Sequence, residues 1–172
     1  MSSMFISSSD WQSITFRLAL AVLVGGAIGI NRQKPGRPAG LRTFTIVSLG
    51  AAIFVLIPLQ VERDSNLGSA DAYNAVARIT QGVVTGLGFL GGGVILRASG
   101  QNLSKEVKGL TSAATIWLVG GLGAAAGCGL WQMSLIGTLI ALLVLSGFKR
   151  LKKSKLIRLD RQQEETEKLN IQ

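Results

Sequence analysis

Residues 110–148 read LTSAATIWLVGGLGAAAGCGLWQMSLIGTLIALLVLSGF and carry no acid and no base. As one helix this stretch would be ~58 Å long at ~1.5 Å per residue. The hydrocarbon core of a bilayer is only ~30 Å thick and is crossed by ~20 residues. The chain must therefore fold back on itself, and Gly127–Gly129, with a glycine on either side of Cys128, is the place for a tight turn. The reading gives two spans, Leu110–Ala126 and Leu130–Phe148. Three more apolar stretches precede them, Ile14–Ile30, Thr43–Val61 and Ile79–Leu96, and the only ionised side chain inside any of the five is Arg17. These stretches predict an all-α, polytopic membrane helix bundle of five transmembrane helices. A four-span alternative makes one stretch re-entrant, with the glycine-rich third stretch as the candidate.

Composition agrees with a membrane domain. Mean hydropathy is +0.42, and glycine occurs 22 times among 172 residues against 3 prolines. Glycine lets helix backbones approach closely and is frequent in membrane spans. The net charge of +9 sits beside the spans rather than along one face of a soluble domain, which argues against nucleic acid as a partner. There is no histidine, so a histidine-ligated metal and a histidine-based triad are both excluded. One cysteine cannot form an intrachain disulfide. The first residues, MSSMFISSSDWQS, carry no Lys or Arg, unlike the start of a secretory signal, so the first span reads as uncleaved.

The basic residues fall in alternate gaps. Arg32, Lys34, Arg37 and Arg42 lie between the first two spans, Arg97, Lys105 and Lys108 between the third and fourth, and eight more follow the fifth. The opposite side holds only Arg63 and Arg78. Because Lys and Arg accumulate on the cytoplasmic side, this asymmetry predicts N-out/C-in topology, with Trp11 and Trp131 in the outer aromatic belt. The domain reading is an extracytoplasmic segment over 1–13, a transmembrane domain over 14–148 and a basic cytoplasmic tail over 149–172. The tail's cluster of cations attracts anionic lipid, a partner available to any such segment, and Leu151, Leu156, Ile157 and Leu159 allow a short interfacial helix.

Small residues four apart mark close helix contacts. They occur as Gly25/Gly29, Gly82/Gly86, Gly88/Gly92 and Gly123/Gly127, with Gly137/Ala141 a looser case. This predicts a compact bundle with the third span near its centre, dimeric through a glycine-faced helix. Packing is the simplest role for these glycines. The functional reading of LGFLGGG, Leu87–Gly93, is a bent or unwound segment that exposes carbonyls to a cavity, as broken helices do in transporters.

Little in the chain is equipped for catalysis. No span core holds Asp or Glu, and Cys128 has no evident base beside it. There is no phosphate-binding loop. The chain reads as not an enzyme, with no resident cofactor, and Mg²⁺ enters only as signal or substrate. No metal site stands out. Oxygen donors for Mg²⁺ would come from Asn31, Asn74, Gln81, Thr85, Thr111, Ser112 or Thr115 and backbone carbonyls. Arg42, Arg78 and Arg97 at span ends read either as snorkelling anchors or as inward groups that bind carbonyls or an anion. Thr111 and Ser112 could cap the first turn of the fourth span.

Three segments, PAGLRTFTIVSLGAAIFVL (Pro38–Leu56), ARITQGVVTGLGFLGGGVILR (Ala77–Arg97) and VKGLTSAATIWLVGGLG (Val107–Gly123), occur in the order and register of the MgtC/SapB family, whose membrane domain the chain closely resembles from about Arg17 to Phe148. Asn31 stands where the family usually has an acid, and Arg78–Gly82 reads RITQG in place of a commoner Arg-Ile-Ala-Ala-Gln. The soluble C-terminal domain of many members is replaced by the short basic tail. The resemblance implies a multi-pass protein of the bacterial inner (plasma) membrane, linked to growth in low Mg²⁺ and to stress adaptation. It acts either by binding another membrane protein or as a passive Mg²⁺ or small-ion transporter with a site near the third span. By position it implicates Arg42, Thr43, Arg78, Gln81, Gly86, Gly88, Phe89, Gly91, Gly93, Gly109 and Thr111 in function, with Gly25, Gly29, Gly82, Gly123 and Gly127 in helix packing.

Overall fold

A computed structural model describes residues 10–33, 39–65, 69–99 and 109–147. The tail over 149–172 and the basic loop residues Lys34, Arg37, Lys105 and Lys108 lie outside these. The described residues are helical, with no strand among them. In order, the helices are α1 (Trp11–Arg32), α2 (Leu41–Ser65), α3 (Ser69–Ser99), α4 (Leu110–Gly127) and α5 (Trp131–Gly147). The first four are long and apolar enough to cross a membrane. The fifth is apolar but has 17 residues, ~25 Å at ~1.5 Å each. The described residues fall into two compact units, one ending at Thr138 and one beginning at Leu139.

Within the first unit α2 and α4 each contact the other three long helices, and glycine lets α1 and α4 come close to α2. A β-carbon on Gly25 of α1 would stand 2.7 Å from the Phe44 carbonyl oxygen and 2.8 Å from Ser48 Cβ, and one on Gly29 would stand 2.8 Å from Leu41 Cα. On the other side of α2, a β-carbon on Gly123 of α4 would stand 2.7 Å from Ser48 Cα, and one on Gly127 would stand 2.6 Å from the Ala52 carbonyl oxygen. Contacts this close exist only because there is no side chain. Ser48 is thus held between two glycines, fully buried, and its hydroxyl donates to the Ala21 carbonyl at 2.7 Å. The glycine pairs of the first and fourth spans lie directly against the α2 backbone.

The third span does not sit where its glycine content placed it. In α3 only 11% of the most apolar stretch is buried, against 39%, 44% and 61% in α1, α2 and α4. It lies at the edge of the unit, touching α4 through Leu87 on Gly120 and Gly91 on Ala113, and α2 through a small cluster of Val76 and Val83 with Ala51, Val55 and Leu59. It makes no contact with α1. Nor is it broken. The helix runs unbroken through Leu87–Gly93, so its backbone carbonyls are engaged in the helix and no unwound cavity forms there. The re-entrant alternative falls for the same reason.

The turn at Gly127–Gly129 is tight. Gly129 adopts φ +79°, the Gly129 amide donates to the Ala126 carbonyl at 3.0 Å, and the Leu130 amide donates to the Ala125 carbonyl at 2.9 Å. This is a Schellman closure with glycine at its left-handed position. Ser134 then ties α5 back to α4 by donating to the Leu122 carbonyl at 2.9 Å, and Gly137 makes room for the Leu122 side chain.

Candidate functional site: a clamped helix core and an open third helix

Two arginines of α1 grip the two ends of α4. Arg17 is 5% exposed and donates from Nη1 to the Gly127 carbonyl at 2.8 Å. Arg32, also 5% exposed, donates from Nη2 to the Ser112 hydroxyl at 2.7 Å. Fifteen residues separate each pair, ~22 Å along either helix, so two antiparallel helices of matched rise bring both into reach at once. The Arg17 cation meets the negative end of α4, where carbonyls lack helical partners, and Arg32 stands in the last turn of α1, where its charge suits that helix's own dipole. Arg17 also lies where a β-carbon on Gly129 would come within 2.8 Å of its guanidinium. Burial pushes the Cys128 thiol upward, and the charge of Arg17 pulls it partly back.

These contacts correct the capping expected at the start of α4. The cap residue is Gly109, at φ 93°, with no side-chain cap, and Ser112 accepts from Arg32 instead. Thr111 is exposed. A left-handed backbone at 109 explains a glycine there, since a β-carbon would be strained. Arg42 and Thr43 are exposed on the first turn of α2, and Arg97 is exposed in the last turn of α3. The family-implied positions are thus distributed over helix ends and more than one side of α3, where Gly91 is buried on Ala113 while Gln81, Gly86, Gly88, Phe89 and Gly93 are exposed. Among the described residues no group of three His, Cys, Asp or Glu could hold a metal ion.

The face that remains is on α3. Asn74, Arg78, Gln81, Thr85, Gly88 and Gly92 are all exposed and follow one another at alternate steps of four and three. That spacing keeps side chains on one seam of a helix that meets a partner helix. Phe89 is also exposed, at 83%. The glycines explain themselves by contrast. Beside Gly82, Gly86, Gly88, Gly92 and Gly93 an added β-carbon would meet nothing within 4 Å. Gly82 therefore leaves the set of intrachain packing glycines, whereas Gly25, Gly29, Gly123 and Gly127 stay in it. Each glycine inside a helix costs ~0.5–1 kcal/mol relative to alanine, and among the described residues no packing offsets that cost at these five positions.

The seam and the arginine clamp both escaped sequence reading. A period of alternate fours and threes is visible in the sequence, but glycine pairs at fours overlie it. Arg17 did carry a signal, as the lone charge inside a span. Arg32 carried none, because it sits among other loop cations.

Comparison with known proteins places the chain. The MgtC family profile matches residues 18–154. Protein SrpB of Synechococcus elongatus is 53% identical over 156 residues, covering 89% of this chain and 84% of that one. The putative magnesium transporter YhiD of Escherichia coli is 38% identical over 141 residues, 78% of this chain and 60% of YhiD. Protein MgtC of Salmonella typhimurium is 41% identical over 125 residues, 73% of this chain and 48% of MgtC. The chain thus spans most of SrpB but only about half to three-fifths of the other two. No solved structure matches. Its helices, its three motifs and these relatives agree, and the chain belongs to the MgtC family of membrane proteins.

Proposed function

We propose that this chain acts in the bacterial inner membrane, in magnesium homeostasis or envelope-stress adaptation, by binding another membrane protein through the open face of α3. The observation that carries this is the exposed seam from Asn74 to Gly92 in a span otherwise fit for lipid. Polar side chains such as Gln81 are costly against hydrocarbon and gain hydrogen bonds from a facing helix, while Gly88 and Gly92 let that helix come close. In the absence of a partner, the same face of a second copy would meet it, giving a homodimer. The magnesium link comes from kinship to a protein named as a putative magnesium transporter.

A passive Mg²⁺ path is the weaker reading. Mg²⁺ gives up its waters reluctantly and wants several well-placed oxygens. The seam's side-chain oxygens belong to Asn74, Gln81 and Thr85 alone, and no carboxylate stands among them. Two measurements on the full chain separate these readings. Proteoliposomes holding only the chain should carry no more Mg²⁺ than empty vesicles. Affinity purification from native membranes should recover one stoichiometric membrane protein with the wild type and lose it with Gly88→Leu, which fills the seam without touching the core. Robust Mg²⁺ flux, or recovery unaffected by Gly88→Leu, would overturn the proposal.

A further inference from the structure

A different face of α3 builds a groove with α2. Gly50, Gly82 and Gly86 line it together with the apolar side chains of Ile46, Phe54 and Leu90, and its volume is about 640 Å³. It follows α3 from Arg78 to Leu90, twelve residues or ~18 Å. That is close to the depth of one leaflet, about half of the ~30 Å core. Its lining is almost wholly apolar along this length, which suits hydrocarbon chains lying in it.

One end of the groove is polar. Arg78 lines both the groove and an adjoining cavity of about 500 Å³ that it shares with Asp71, Asn74, Ala75 and Ile79. Asp71 and Arg78 are both exposed and stand two helical turns apart on one side of α3. A cation at the mouth of an apolar slot suits a phosphate, and a carboxylate two turns further along the same polar cavity suits a head group that also bears an amine.

We propose that the α2–α3 groove is a site for one aminophospholipid, with its acyl chains along Gly50, Gly82 and Gly86, its phosphate at Arg78 and its amine toward Asp71. The apolar slot lies on another face of α3 than Gln81, Thr85, Gly88 and Gly92, while its polar mouth shares Asn74 and Arg78 with the start of the seam, so Gly86→Leu, which lines the slot alone, is the variant that tells loss of lipid from loss of a protein partner.

The test is native mass spectrometry of the full chain, delipidated in detergent and titrated with phosphatidylethanolamine or phosphatidylglycerol of matched chains. We expect one phosphatidylethanolamine retained per chain and weaker retention of phosphatidylglycerol. Arg78→Gln should lower retention about five-fold, the worth of one arginine at a lipid head group. Gly86→Leu should lower it further by filling the slot, and it should fold, because a β-carbon there meets nothing within 4 Å. Arg97→Gln, at the far end of α3, should retain lipid like the wild type. Wild-type retention by Arg78→Gln or Gly86→Leu would overturn the proposal. So would equal retention of the two lipids, or a lipid-free dimer as the only stable species, which would give the groove to a second copy.

Discussion

Gly123→Leu should disrupt the bundle, lowering stability by about 3 kcal/mol or more, because the new side chain meets backbone. Even the β-carbon of Gly123→Ala would stand 2.7 Å from Ser48 Cα and 2.8 Å from its carbonyl carbon, and Ser48 is itself held from the other side by Gly25. Overpacking that flexible side chains can relieve costs ~1–3 kcal/mol. Here relief requires moving α2 away from α4. The matched control is Gly86→Ala, which meets nothing within 4 Å and should be neutral or stabilising by ~0.5–1 kcal/mol through helix propensity. Unfolding midpoints in one detergent, read alongside the fraction of monodisperse protein, decide the matter. Equal effects at 123 and 86 would mean that α2 and α4 do not meet at Ser48.

The second large effect is at the arginine clamp. Replacing a buried charge by an apolar residue of similar size is often neutral, since the desolvation cost disappears with the charge. What decides the sign here is the group left behind. Arg17→Met strips the Gly127 carbonyl of its donor, and Arg32→Met strips the Ser112 hydroxyl of its own. Hydrogen bonds to charged groups are worth ~1.5–3 kcal/mol, and each loss should be of that order. The two sites are ~22 Å apart, beyond the range at which mutational effects couple, so the double substitution should cost close to the two single losses combined. Arg17→Lys should recover only part, because an ammonium lacks the guanidinium's fixed fork. An unchanged or raised midpoint in either Met variant would show that the clamp contributes no net stability.

Much of the fold was legible because lipid allows few solutions. Apolar length marked the helices, and the fold-back at Gly127–Gly129 followed from the impossibility of a ~58 Å span. The position of α3 was not legible, and the reason is physical. Gly25/Gly29 and Gly82/Gly86 present the same pattern, yet the first pair lies on Leu41–Ser48 and the second on nothing among the described residues. Small residues report that a backbone comes close without saying whose backbone it is. The clamp was hidden for a related reason. The equal spacing of Arg17–Arg32 and Ser112–Gly127 has meaning only once α1 and α4 are known to be antiparallel neighbours.

The account rests on α3 presenting a seam to another helix rather than to lipid. Photo-crosslinking residues placed singly from Asn74 to Gly92, in native membranes, test this most directly. The account predicts crosslinks to a protein that peak at 74, 81, 85, 88 and 92 and fall between them. Uniform yields along the helix, or adducts with lipid alone at these positions, would contradict it.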